Sequence, residues 1–354
     1  MSTALPSPVP FPPLTALRRL APGLLACALL AVAGSQLASV DLLARHGLSA
    51  LTLALMLGML AGNLLPAPVL AHCGPGIGLA KQRILRLGVV LYGLRLTVQD
   101  IGHVGWAGVL VDAAMVCSTF ALACGLGIRW LGLDRKTAML IGIGSSICGA
   151  AAVVAAEPVV KARAEQVTVA VATVVVFGTL ATFLYPLLFA AAAHGWPLPA
   201  QGRSFGLYVG STVHEVAQVI AAARAVSPEA ADTAVIAKMV RVMMLAPFLL
   251  ALSALGPRGG GAARTRTSVP WFAFAFIGVV LLNSLHGLPA PWAARLVELD
   301  TGLLAMAMAA LGLATQVRMM REAGSRPLLL AALLFAWLVV GGAALNAWLP
   351  ALLA

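Results

Sequence analysis

Long apolar blocks recur along the whole chain, separated by short stretches of charged residues, glycine and proline. Most blocks are about 17 to 25 residues long, the length that an α-helix needs to cross the hydrocarbon core of a bilayer. We therefore expect an all-α polytopic membrane protein with about eleven transmembrane helices. The predicted spans lie near residues 20–38, 47–65, 81–99, 104–127, 137–158, 166–191, 204–224, 231–255, 270–286, 299–317 and 327–350.

Composition supports the membrane assignment. Of the 354 residues, 61% are hydrophobic and 10% are charged, and the mean hydropathy is +0.98. A soluble globular domain cannot bury that much apolar surface. The basic residues give a formal net charge of +11 but stand singly or in pairs between apolar blocks, so we expect no nucleic-acid partner. The five cysteines form no CxxC pair, and we expect no disulfide, metal site or cofactor.

The distribution of Lys and Arg predicts the orientation. With the amino terminus in the cytoplasm, fifteen basic residues fall on the cytoplasmic side and five on the outer side, as the positive-inside rule requires. This assignment puts Lys136 and Arg203 inside, Lys161 and Arg224 outside, and the carboxyl terminus in the periplasm or outside the cell. Residues 1–17 are predicted as a disordered cytoplasmic tail, and the basic, glycine-rich stretch 256–269 as a cytoplasmic linker.

Eleven spans divide into one extra helix and two sets of five. Because five is odd, the second set enters the membrane with opposite orientation, as in many secondary transporters. Weak similarity supports this division, between Leu55–Asn63 and Leu207–Glu215 and between Ile141–Val160 and Asp300–Met320. We predict an extra first helix at 18–46, a first repeat at 47–191 and an inverted second repeat at 192–350.

The centre of the fifth span is rich in residues that weaken a helix. A break at membrane depth is tolerated only where it faces protein or a water-filled cavity, and the half-helix after it presents free N–H groups. A close packing face between helices is the alternative. We predict that this break and its counterpart in the tenth span bind substrate through Ser145, Ser146, Cys148, Gly149, Gly312 and Thr315.

Several ionisable residues also fall inside predicted spans, where charge is costly and usually functional. His214, Glu215 and Asp112 are predicted to couple transport or carry protons. Lys238 and Arg241 are predicted to contact a transported anion, because guanidinium and ammonium groups supply several hydrogen-bond donors. Polar contacts between helices and buried ion pairs are the alternatives.

Several stretches resemble the bacterial YeiH-type family of proposed sulfate exporters. They are "RILRLGVVLYGLRLTVQDI", "IGIGSSICGAAAVVAAEPVVKA", "VGSTVHEVAQVIAA", "SPEAADTAVIAKMVRVMML" and "TGLLAMAMAALGLATQVRMMREAGSRPLLLA", in the family's order from about residue 75 to 345. The family is grouped with the cation/proton antiporter and anion transporter superfamily, in which dimers are common. The resemblance implies a panel domain and a core domain with two crossing discontinuous helices, here around Ser145–Gly149 and Leu311–Thr315.

These observations predict a secondary transporter of the bacterial inner membrane that exports a small sulfate-like or sulfonate-type anion by alternating access, with proton or sodium coupling. A sodium/proton antiporter, with Glu215 and Asp112 as cation ligands, is the alternative within transport. An intramembrane enzyme is disfavoured, because no nucleophile and base stand at helical spacing.

Overall fold

The structure, a computed structural model, describes residues 14–40, 49–193, 201–255, 271–285, 289–318 and 323–353. In this part of the chain the helices are α1 (Leu14–Ala38), α2 (Ala50–Leu64), α3 (Ala67–Leu79), α4 (Leu85–Tyr92), α5 (Val98–Cys124), α6 (Arg135–Ser146), α7 (Ala150–Val160), α8 (Ala164–Ala193), α9 (Gly202–Thr212), α10 (Val216–Arg224), α11 (Pro228–Met243), α12 (Leu245–Leu255), α13 (Trp271–Ser284), α14 (Ala290–Ala314) and α15 (Ser325–Leu353). The predicted linker 256–269 and residues 1–13 of the predicted tail lie outside the described residues.

Six helical segments are long and apolar enough to cross a membrane: Arg18–Ala38, Val104–Trp130, Ala164–Ala192, Pro228–Ala254, Pro291–Ala314 and Ser325–Leu349. Shorter apolar helices accompany them, which confirms an all-α polytopic membrane protein. The predicted span 81–99 is the second half of a longer helix, because a π-helical turn at Ala80–Ile84 joins α3 directly to α4.

The helices form two groups. An outer bundle contains α1 to α4, α13 and α14, and a core bundle contains α5 to α12 and α15. Glycines let backbones of the outer bundle touch, with Gly23 against Gly76 and Gly58 against Gly312. Such contacts stabilise helix pairs in lipid, where apolar burial alone gives little preference for protein over lipid tails.

The fifth predicted span does not cross the protein. Helix α6 ends at Ser146, the chain reverses through Ile147–Gly149, and α7 runs back beside α6. Lys136 Nζ, at the start of α6, donates to the carbonyl of Lys161, just after α7, at 2.6 Å. A continuous helix would separate these residues by roughly 38 Å. We call the segment from α6 to α7 hairpin 1.

The seventh predicted span is a second hairpin. Helix α9 runs parallel to α11, with Gly206 against Ala230 and Gly210 against Ala234. At its start, Arg203 Nε lies 2.7 Å from Glu229 Oε1 near the start of α11. Because α10 ends only a few residues before α11, it must return from the tip to the side where α9 began. We call the segment from α9 to α10 hairpin 2; its tip is Val213–Glu215.

The two hairpins enter the core bundle from opposite sides, along the single long helix α8. Near the start of α8, Gln166 Nε2 donates to Asp134 Oδ2, at the open end of hairpin 1, at 2.6 Å. Further along, Tyr185 donates to Thr212 at 2.8 Å, and the ring of Phe189 packs edge to face against Phe205 of hairpin 2. The two tips therefore meet beside the middle of α8.

The hairpins change the predicted side of the membrane for one residue in each of two pairs. Lys136 and Lys161 lie on one side of the protein, not on opposite sides, because hairpin 1 returns to where it entered. Arg203 and Arg224 lie together on the other side for the same reason. Two reversals cancel, so the orientation of both termini is unaffected and stays a prediction. The inverted repeat also stays a prediction, but the odd number of crossings no longer supports it, because each set of five contains one hairpin and crosses four times.

Candidate functional site

Lys238 of α11 joins the two hairpin tips. Its ammonium donates to the carbonyl of Ile147, at the end of α6, and to the carbonyl of Val213, at the end of α9, both at 2.7 Å. The side chain is fully buried. Carbonyls at a helix carboxyl end carry partial negative charge and lack partners within the helix. Lys238 satisfies one such group in each hairpin and so fixes the tips against each other.

Glu215 contacts hairpin 1 from the tip of hairpin 2. Its Oε1 accepts a hydrogen bond from the backbone N–H of Ala150, the first residue of α7, at 3.3 Å. The preceding Gly149 has φ 72° and ψ −140°, a conformation that other residues rarely adopt. A Cβ on Gly149 would also run into the Glu215 side chain. The carboxylate therefore occupies the positive end of α7.

A buried pair of oppositely charged side chains lies in the core bundle behind the tips. Arg241 Nε is 3.7 Å from Asp112 Oδ1, and neither residue is exposed. In the described part of the chain, no hydrogen bond reaches the three guanidinium nitrogens of Arg241, the two carboxylate oxygens of Asp112 or His214 Nδ1. Buried polar groups of this kind normally bind protein, water or a ligand. This pair is thus a polar centre within reach of the tips.

A cavity of about 390 Å³ leads from the hairpin 1 side to the tips, between the core and outer bundles. Cys148, Ala150 and Glu215 line it at the tips. Its remaining walls are mostly apolar, with three polar side chains contributed by the outer bundle: Lys81, Gln82 and Arg86. The cavity connects the carboxylate of Glu215 with the cations of the outer bundle.

The structure brings most of the predicted site residues together. Those at or directly behind the tips are Cys148, Gly149, His214, Glu215, Lys238, Arg241 and Asp112. Ser145 and Ser146 lie in hairpin 1 but are buried in α6, and Ser146 Oγ donates to the carbonyl of Ile143. Neither serine lines the cavity.

The predicted break in the tenth span does not fall at Gly312. Helix α14 continues through Gly312 to Ala314, and Thr315 ends it. A Cβ on Gly312 would meet the backbone of Leu55 and Met59 in α2, so this glycine serves close packing in the outer bundle. The break that meets hairpin 1 lies in the seventh span, at Val213–Glu215.

Thr315 is likewise part of the outer bundle rather than of the tips. Its Oγ1 donates to the carbonyl of Leu311, and its own carbonyl accepts from Asn63 Nδ2 at 3.0 Å. These bonds close the carboxyl end of α14 against α2.

Sequence reasoning missed the cations of the cavity. Lys81 and Arg86 fall within the predicted span 81–99 and count among the cytoplasmic basic residues that set the orientation, but both line the wall of the cavity. Their spacing of five residues, about one and a half turns, gives no obvious common face. The local sequence thus contains no clear signal for their shared cavity.

The described residues contain no cluster of His, Cys, Asp and Glu able to hold a metal ion.

Comparison with known proteins identifies the family. A family model described as conserved hypothetical protein 698 matches residues 22–331. The chain belongs to this family. A UPF0324 membrane protein of Pseudomonas aeruginosa is 57% identical over 335 residues, which cover 93% of this chain and 94% of that protein. The resemblance to the YeiH-type family is confirmed by further relatives.

Two of these relatives are named UPF0324 inner membrane protein YeiH. The protein from Salmonella typhimurium is 54% identical over 320 residues, covering 89% of this chain and 90% of its own length. The protein from Escherichia coli K12 is 54% identical over 311 residues, covering 87% and 88%. No solved structure matches the chain.

Proposed function

We propose that this protein is a secondary transporter that exports a small anion across the bacterial inner membrane by alternating access. The observation that carries the proposal is the meeting of two opposed hairpin tips at one buried cation, Lys238. Broken helices at membrane depth are a recurrent way to build a transporter site, because their ends offer unpaired backbone groups to an ion.

An anion is the ligand favoured by the charges at this site. The amino end of α7 presents N–H groups and partial positive charge to the cavity. Lys238 and Arg241 add two fully buried cations near it. Arg241 has donors without acceptors among the described residues, which suits an oxyanion with several acceptor oxygens.

Movement of the core bundle against the outer bundle supplies the alternating access in this proposal. The cavity opens between the two bundles on the hairpin 1 side, and the tips form its inner end. One hydrogen bond between the bundles, from Tyr92 to Asp232 Oδ1 at 2.9 Å, would break during such a movement. Sliding of the core bundle against the outer bundle would then expose the tips on the hairpin 2 side.

The positive-inside rule favours export. Arg129, Arg135, Lys136, Lys161 and Arg163 lie near the open end of hairpin 1, whereas Arg203 and Arg224 lie at the open end of hairpin 2. The hairpin 1 side is therefore proposed as cytoplasmic. An inside-negative membrane potential then drives an anion outward from the cavity, at about 2.3 kcal/mol per charge per 100 mV.

Reconstitution into liposomes tests the proposal. We expect the purified protein to carry radiolabelled sulfate, sulfite, thiosulfate or methanesulfonate out of vesicles. Lys238→Gln and Arg241→Gln should each lower this flux at least about tenfold, because each removes a buried donor cation.

Matched controls are Lys161→Gln and Arg163→Gln, exposed cations at the open end of hairpin 1, which should keep wild-type flux. Sodium/proton exchange with no flux of any tested anion would favour the antiporter alternative and reject the proposal.

A further inference from the structure

We infer that the carboxylate of Glu215 is a built-in substitute for the transported anion, holding the anion's place at the amino end of α7 whenever no substrate is bound. The inference rests on the proposed function. It predicts that the empty transporter can return without a second anion, so that transport is net efflux rather than obligatory exchange.

The geometry of the tips is the first argument. Glu215 Oε1 accepts from the N–H of Ala150, the position at which an incoming oxyanion would find its first backbone donor. Gly149 leaves room for the Glu215 side chain, since a Cβ at that position would overlap it. An anion and this carboxylate cannot both accept from the N–H of Ala150, and their negative charges repel each other. Substrate binding therefore requires Glu215 to move away.

Charge balance is the second argument. Among the described residues around the tips, two cations, Lys238 and Arg241, face two carboxylates, Asp112 and Glu215, with His214 as a further titratable group. Without substrate these four charges cancel. Without Glu215 the empty site would bury one net positive charge at membrane depth, which is costly and would hinder the return movement.

The cavity provides a place for the displaced side chain. Glu215 lines the cavity, whereas Asp112 is sealed against Arg241. Lys81 and Arg86 line the same cavity from the outer bundle, and Cys148 lines it beside the tip. When the Glu215 carboxylate leaves the N–H of Ala150, it therefore remains close to cations of the cavity wall. The transporter with bound anion then needs no added proton to neutralise Glu215.

Two transport assays on the reconstituted full-length protein separate this idea from an ordinary binding role. Net efflux is measured from vesicles loaded with radiolabelled sulfate or methanesulfonate into anion-free buffer, with a potassium diffusion potential. Exchange is measured with the same unlabelled anion on the outside. We expect wild type to support both, Glu215→Gln to keep exchange within about threefold, and Glu215→Gln to lose net efflux at least about tenfold.

Glu157→Gln is the matched control, because Glu157 lies in α7 of the same hairpin but does not line the cavity. It should behave as wild type in both assays. Retained exchange also shows that Glu215→Gln is folded. The inference is overturned if Glu215→Gln keeps full net efflux, or if the folded variant loses exchange as well.

Wild type alone provides a second test that needs no variant. Efflux that requires anion on both sides, or that brings one proton with each anion, overturns the inference while leaving anion transport intact. If wild type moves none of the tested anions in either assay, the proposed function fails, and the inference fails with it.

Discussion

Two glycine-rich stretches of this protein look alike in sequence and fold differently. Residues 141–160 reverse direction at Ile147–Gly149 and form hairpin 1, whereas the stretch that includes Gly312 stays helical to Ala314. Small residues allow both outcomes, because they lower the cost of breaking a helix and also let another helix come close. Glycine content alone therefore does not distinguish a break from a packing face.

The difference lies in the partners that each stretch meets. At hairpin 1, Lys238 and Glu215 satisfy the backbone groups that the break leaves free. At Gly312 the neighbour is the backbone of α2, whose own Gly58 faces it. A polar partner stabilises the first stretch as a break, and a close helix stabilises the second as a continuous helix.

The largest expected effect concerns the sides of the membrane on which the ends of hairpin 1 lie. In a protein whose five native cysteines are replaced by alanine, Lys136→Cys and Lys161→Cys should react with an impermeant maleimide from the same side of the membrane. Arg203→Cys should react from the opposite side. Labelling of positions 136 and 161 from opposite sides would mean that the fifth predicted span crosses the membrane. The two glycine-rich stretches would then not differ in the way described.

Next in size is the effect of Gly149→Ala. The substitution forces alanine into a conformation that costs about 1–3 kcal/mol and pushes a methyl group into Glu215. We expect anion flux to fall at least about tenfold, because the tip must shift. Gly278→Ala is the control, since its Cβ would meet open space. Normal flux in Gly149→Ala would show that the tip geometry is unimportant.

Gly312→Ala should affect stability more than substrate binding. Its Cβ would meet backbone atoms of α2, which cannot move as a side chain can, so we expect a loss of about 1–3 kcal/mol in the free energy of unfolding. Thermal unfolding in detergent measures this loss. Gly302→Ala, on the same helix but facing open space, should be neutral. A change in anion affinity without a change in stability would restore Gly312 to the binding site.

The smallest effects are expected at the two hydroxyl groups that the sequence predicted as ligands. Ser145 is buried away from the cavity, and Thr315 Oγ1 bonds within its own helix. Ser145→Ala and Thr315→Ala should each change the anion concentration at half-maximal flux by less than about threefold. A tenfold increase in that concentration for either variant would indicate that its hydroxyl group binds the anion.

Particular residues explain how much of the site could be predicted. Lys238, Arg241, Glu215 and Asp112 stand out because charge inside an apolar block is rare and costly. The carbonyls of Ile147 and Val213 do not stand out, since every residue has a carbonyl and only the fold decides which ones lack a helical partner.

The sequence by itself determined that the chain is a helical membrane protein, that residues 144–149 weaken a helix, and that charged groups lie within the apolar core. Those properties depend on local composition and hydropathy. Only the tertiary structure decided that two predicted spans are hairpins, that their tips meet at Lys238, and that Gly312 packs against α2. The physical reason is that the direction taken after a break depends on contacts between residues far apart in the chain, such as Lys136 with Lys161 and Lys238 with Ile147.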